Sequence, residues 1–134
     1  MNKIIIQTIA LGMILLVSLS FAACNNKAVT LANMKNTLTG AGYTIIEDAD
    51  SLPENTVNGF IFVFNGAHGS VNIPVLEFKD NESANAYAAT VNESGDWLAI
   101  VNGRFLTAAE AHHGTPHGNE KTFLKNLING KPLK

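Results

Sequence analysis

"WLAIVNGRFLT" occupies residues 97–107 of this 134-residue chain and carries its strongest local indication of structure. Two apolar runs flank Asn102 and Gly103, and an Asn-Gly pair supplies the positive φ angles that a type I′ hairpin turn requires. The stretch therefore predicts a hairpin in which Trp97–Val101 pairs with Arg104–Leu106. So tight a connection indicates an antiparallel sheet.

The segment FIFVF predicts a central strand, because aromatic and β-branched residues favour strands. The phenylalanines occupy one face and the β-branched residues the other: Phe60, Phe62 and Phe64 against Ile61 and Val63. We expect helices to cover both faces. If helices covered only one face, the other would be an apolar surface suited to binding or to dimer formation.

A further strand is predicted for VNIPVLEF, residues 71–78. Its apolar alternation changes phase between Val75 and Leu76, which a β-bulge near Pro74 would explain. Proline has no N–H to donate to a ladder, so the strand is expected to lie at an edge or to be kinked at Pro74.

Three amphipathic segments predict helices, because their apolar residues recur at helical spacing. They lie within residues 29–40, 79–91 and 120–130. Thr107 and Glu110 have the spacing of a capping box, which predicts one more short helix starting at Thr107. Together the elements predict a single α+β domain over residues 31–134, with a mostly antiparallel sheet of four to five strands and helices packed on it. A ferredoxin-like arrangement is one form of this class.

The N-terminal segment has the order of a secretory signal. Lys3 is the only charged residue before an apolar stretch over residues 4–23, and small residues end that stretch. The stretch is also close to the roughly 20 residues that span a bilayer as a helix. An uncleaved membrane anchor is therefore the alternative to a cleaved signal.

The end of that segment, LSFAAC, places Ala22 and Ala23 directly before Cys24, the only cysteine of the chain. This arrangement resembles the lipobox of bacterial lipoproteins, although Phe21 stands where that family usually has Leu. The resemblance implies that residues 1–23 are a lipoprotein signal peptide, that Cys24 receives a diacylglycerol, and that the new amino group is acylated. Residues 24–30 would then be the lipidated N-terminus and tether. The domain is expected outside the cytoplasm, held at the cell membrane or envelope by lipid on Cys24.

Histidines form the one candidate metal site. His112, His113 and His117 lie close together in the sequence, with His68 as a fourth ligand candidate. Imidazole is the commonest metal ligand, and three of them suffice for zinc with an open position. A carboxylate from Glu110 or Glu120 would add to the set. The alternative is an exposed polar loop, because Gly114 and Pro116 oppose a helix that would align the imidazoles.

The composition and the absence of catalytic motifs limit the classes of function that the sequence supports. The formal net charge is −2, and the nine Lys and Arg residues form no basic stripe along the sequence, so nucleic acid is not an expected partner. The chain contains no Gly-x-Ser-x-Gly, phosphate-loop or His-Glu-x-x-His motif, which disfavours an enzyme. We expect a tethered binding or interaction domain for an envelope protein or a small ligand, without a cofactor. A zinc-binding lipoprotein built on His112, His113 and His117 is the alternative.

Overall fold

The computed structural model describes residues 28–47, 51–66, 69–112, 115–116 and 118–134. These residues form three helices, α1 (Leu31–Gly40), α2 (Asn81–Glu93) and α3 (Gly118–Ile128). The strands in the described residues are β1 (Ile45–Ile46), β2 (Thr56–Gly66), β3 (Gly69–Phe78), β4 (Trp97–Asn102), β5 (Phe105–His112) and β6 (Thr115–Pro116).

Five strands form one antiparallel sheet in the order β1-β2-β3-β5-β4, and the short β6 pairs with the end of β5. Helices pack on this sheet, so the predicted α+β class is confirmed. β5 lies between β3 and β4 and is antiparallel to both, so β3-α2-β4 is a split β-α-β unit. A ferredoxin-like domain has the order β-α-β-β-α-β. The described order is instead α-β-β-β-α-β-β-β-α, with one such unit.

Helices α1 and α3 pack on the sheet face that carries the phenylalanines of β2. Phe62 is fully buried and Phe60 is 2% exposed. From α3, Phe123 joins Phe62 and Phe64 in a ring cluster with Tyr43, in which the Tyr43 and Phe123 centroids lie 5.2 Å apart. This layer holds the larger of two apolar cores.

Helix α2 packs on the opposite face through its small residues. Ala84 and Ala88 contact the smaller core, which contains Leu76, Phe78 and Leu106. Both faces therefore carry helices, as expected, but their coverage is unequal. Ile61 and Val63, on the α2 side of β2, remain half-buried.

The hairpin of β4 and β5 is confirmed, with a different turn. Asn102 pairs with Phe105, so the two turn residues are Gly103 and Arg104. Only Gly103 of these two has a positive φ, of 59°. A positive φ at the first turn residue alone is the feature of a type II′ turn, which also suits the twist of a hairpin.

The short helix predicted at Thr107 is wrong, because Thr107–Glu110 belongs to β5. β5 pairs with β3 on one side and with β4 on the other, and Thr107 is fully buried. The Thr107 hydroxyl donates a hydrogen bond to the Pro74 carbonyl at 2.8 Å. Ladder hydrogen bonds and burial from distant strands outweigh the local preference for a capped helix.

The bulge predicted near Pro74 is also absent, since the β2–β3 register runs without a shift from Phe60–Val75 through Ile61–Pro74. The register shift lies between Thr56 and Asn58. β3 is not an edge strand, but its pairing with β5 starts only at Val75. From there both faces of β3 are covered, so Val75 and Leu76 are both buried and the alternation ends.

Candidate functional site

An apolar cavity of about 420 Å³ opens on the α2 side of the sheet, where α2 leaves part of β2 and β3 uncovered. We call it the α2 groove. It lies within the roughly 300–1,000 Å³ typical of ligand sites. Its lining residues are Ser51, Leu52, Pro53, Phe60, Ile61, Asn72, Pro74, Leu76, Tyr87, Val91, Ser94, Trp97, Leu106 and Ala108.

The floor of the groove is the sheet itself. Ile61 of β2 pairs with Pro74 of β3, and Leu76 of β3 pairs with Leu106 of β5. Residues paired in this way project from the same face of an antiparallel sheet. The floor is therefore a continuous apolar surface across three strands.

Helix α2 and β4 form one wall. Tyr87 and Val91 lie one helical turn apart on α2, so their side chains share a face. The Tyr87 ring packs against Phe78, with centroids 5.4 Å apart, which orients it beside the groove. Trp97, the only tryptophan of the chain, adds a second aromatic side chain at the start of β4.

The segment before β2 forms the other wall, through Leu52 and Pro53. Leu52 packs against the smaller core. Its approach depends on Gly59, because a Cβ at that position would lie 3.0 Å from Leu52 Cδ2 and 2.9 Å from Leu76 Cδ2. The missing side chain at residue 59 therefore lets this segment reach the sheet.

No charged side chain is among the described lining residues, whose polar groups belong to Ser51, Asn72, Tyr87, Ser94 and Trp97. A charge moved from water into such surroundings loses hydration, and the described lining offers it no opposite charge in return. Aromatic side chains provide large apolar contact areas and preferred stacking geometries. The groove is thus suited to a neutral, apolar group.

Most of the predicted site residues lie outside the described part of the chain, namely Cys24, His68, His113 and His117. The backbone of His112 ends β5 and pairs with Thr115. The described ranges contain no group of three or more His, Cys, Asp and Glu residues placed to hold a metal ion. Zinc binding by His112, His113 and His117 stays a prediction.

Glu120, a candidate carboxylate for that metal site, is only 4% exposed. Its Oε1 accepts a hydrogen bond from the Glu110 backbone N–H at 3.0 Å. The contact ties the first turn of α3 to β5.

The groove was not predicted as a site from the sequence. Tyr87 and Val91 share the inward helical face with Ala84 and Ala88, and the spacing of these residues is equally typical of plain core packing. The one local indication that this face also lines a site is Tyr87, a large aromatic residue among alanines. The position of Trp97 across from the Leu52 segment follows only from the sheet order.

Across the described ranges, no helix is both long enough and apolar enough to cross a membrane. No protein-family model, curated protein or solved structure matches this chain.

Proposed function

We propose that the protein is a lipid-anchored binding protein of the bacterial cell envelope, whose extracytoplasmic domain takes a neutral, apolar ligand into the α2 groove. The observation that carries the binding role is a cavity of about 420 Å³ whose described lining is aromatic and carries no charged side chain. Few convergent polar groups in a mostly apolar concavity are typical of small-molecule sites.

The residue types in the groove favour binding over catalysis. General acid–base chemistry needs a titratable group within hydrogen-bond reach of the substrate. Among the residues that the structure describes, the groove lining contains no carboxylate, histidine, lysine or cysteine. Its hydroxyl and amide groups are suited to orienting a ligand.

In this proposal, lipid on Cys24 anchors the protein to the membrane. Each buried methylene of a lipid chain contributes about 0.8 kcal/mol, and stable anchoring takes two such chains or a second attractive element. A diacylated and N-acylated Cys24 meets that condition. The ligand would then be bound next to the bilayer.

A photoreactive apolar probe tests the groove in the full chain. Vesicle-bound protein is irradiated with neutral trifluoromethyl phenyl diazirine, and the labelled residues are mapped by mass spectrometry. We expect the label on Tyr87, Val91 and Trp97. Diazirine benzoate, which is anionic, is expected to label them at least about tenfold less, because the described lining contains no positive charge to pair with it.

Two matched variants in β2 complete the test. Ile61→Glu puts a carboxylate on the groove floor and is expected to reduce labelling about tenfold, whereas Val57→Glu makes the same change at a side chain that is 62% exposed outside the groove. Val91→Trp, which fills the groove without a charge, replaces Ile61→Glu if thermal melts show that the latter unfolds. Equal labelling in wild type and groove variants, or label spread evenly over exposed apolar residues, would contradict the proposal.

A further inference from the structure

The C-terminal part of the chain presents an exposed set of lysines. We call Lys121 and Lys125 of α3, with Lys131 and Lys134 beyond it, the lysine face; all four are exposed. Leu133 packs against the larger core, which holds the segment after α3 against the domain. The only carboxylate side chain in residues 118–134 is the buried Glu120.

None of these lysines is neutralised by an ion pair in the described part of the chain. The two ion pairs found there are Lys35–Glu47 and Arg104–Glu77. The hydrogen bond from Lys35 lowers the pKa of the Glu47 carboxyl, so this acid is engaged by Lys35. The lysine face therefore carries uncompensated positive charge.

The opposite side of the sheet has the opposite charge. Helix α2 contains no Lys or Arg. Within residues 79–96, four carboxylates accompany one lysine: Asp80, Glu82, Glu93 and Asp96 with Lys79. The groove opens on this acidic side, so the fold separates a positive helical layer from a negative one.

The anchored end of the chain enters at the positive layer. The Ala28 carbonyl accepts a hydrogen bond from Asn33 Nδ2 of α1 at 2.9 Å, and Ala28 lines a small crevice between α1 and α3 together with Lys131. Ala28 lies four residues after Cys24. An extended chain covers at most about 3.6 Å per residue, so the lipidated residue lies within about 14 Å of this layer.

We propose that the lysine face lies on an anionic phospholipid surface, and that the α2 groove, on the other side of the sheet, opens away from the bilayer. The position of the tether rests on the proposed anchor, while the charge separation does not. Each lysine near an anionic lipid surface strengthens binding about fivefold. Nucleic acid offers the same phosphate charge, but the short tether keeps the lysine face at the lipid.

Lysine reactivity in the full chain tests this orientation. The protein is bound to vesicles of phosphatidylcholine alone or mixed with phosphatidylglycerol, and a membrane-impermeant amine-acetylating reagent is added. Mass spectrometry then gives the rate at each lysine, with Lys79 on the α2 side as the internal control. On the anionic vesicles we expect Lys121, Lys125 and Lys131 to react at least about tenfold more slowly than Lys79.

Salt and a second readout sharpen the test. Molar salt shortens the screening length to about 3 Å and should abolish the protection. Acrylamide should quench Trp97 equally on both kinds of vesicle, because the groove stays in water. Replacing Lys121 and Lys125 with Gln should remove the protection of Lys131, whereas Lys79→Gln should leave it unchanged.

On anionic vesicles, equal reaction rates at Lys79 and at the lysine face would overturn the proposal. So would stronger protection of Lys79, or protection by duplex DNA without protection by vesicles. A chain that floats with anionic but not with neutral vesicles would support the lysine face and contradict the anchor. Failure of the groove proposal would appear separately, in the photolabelling.

Discussion

At the scale of single residues, the groove depends on where side chains are small. Gly59 lies within β2. A Cβ added at this position would meet two leucine side chains and would lie 3.1 Å from the Val75 carbonyl oxygen. Leu52 reaches the sheet only because this position is empty. A residue without a side chain thus fixes one wall of the site.

Gly59→Ala is expected to destabilise the protein by about 1 to 3 kcal/mol, because the added methyl overpacks Leu52, Leu76 and a backbone oxygen that cannot give way. Urea unfolding followed by circular dichroism measures the change. Gly66→Ala, in the same strand, is the control, since its nearest contact would be an ordinary 3.6 Å. Equal stability of Gly59→Ala and wild type would show that Leu52 is not held as described.

At the scale of elements, α2 is the wall that the local sequence specifies most fully. Asp80 is its N-cap and accepts a hydrogen bond from the Ser83 N–H at 2.7 Å. Near the other end, the Asn92 side chain accepts one from the Ala99 N–H at 2.8 Å, which ties the helix to the edge strand β4. The helix is thus held at both ends beside the groove.

The cap makes the stability of α2 depend on pH. The Ser83 N–H lowers the pKa of Asp80 below its ordinary 3.8. A lowered pKa in the folded state contributes stability that is present above the ordinary value and is lost as the pH falls through the folded value. Asp80→Ala should therefore melt at a lower temperature than wild type near neutral pH, with a difference that shrinks below about pH 4.

Thermal melts of wild type, Asp80→Ala and Asp80→Asn across this range are the measurement. Asparagine caps a helix without a titratable group. Its difference from Asp80→Ala should therefore stay constant with pH. A wild-type advantage over Asp80→Ala that persisted unchanged to pH 2 would count against the charged cap.

At the scale of the whole molecule, the sheet separates two sides with different chemistry. The side of α1 and α3 buries the larger core, carries the lysine face and holds Ala28, where the described chain begins. The side of α2 is acidic and half covered, and it holds the groove. In the proposed arrangement, one side holds the protein at the bilayer and the other remains available to a ligand.

Cys24→Ser tests the anchor in the full chain made by a bacterium. The wild type is expected to incorporate labelled palmitate and to begin at Cys24, whereas the variant should incorporate none, because serine has no thiol to alkylate. Asn25→Ser, one residue further, is the control and should keep the lipid. Mass spectrometry that found an intact Met1 and a free thiol in the wild type would contradict the lipoprotein proposal.

Patterns within single elements predicted most of the secondary structure, but the capping-box spacing at Thr107 predicted a helix where a strand forms. The Asn102–Gly103 pair predicted the hairpin, although not its turn, and apolar spacing predicted the three helices. The anchor indicated by the run before Cys24 stays a prediction. Each depends on neighbours a few residues apart, whose interactions are the same in any fold.

Contacts between distant residues decided the rest. Thr107 becomes part of a strand because β3 and β4 flank it, and Pro74 lies in an unshifted ladder that the Thr107 hydroxyl helps to satisfy. The groove exists because α2 covers only part of its face, and the two charged sides exist because α2 and α3 pack on opposite faces of one sheet. Tertiary packing sets these features, since the free energy of burial depends on which surfaces meet and not on the order of residues along the chain.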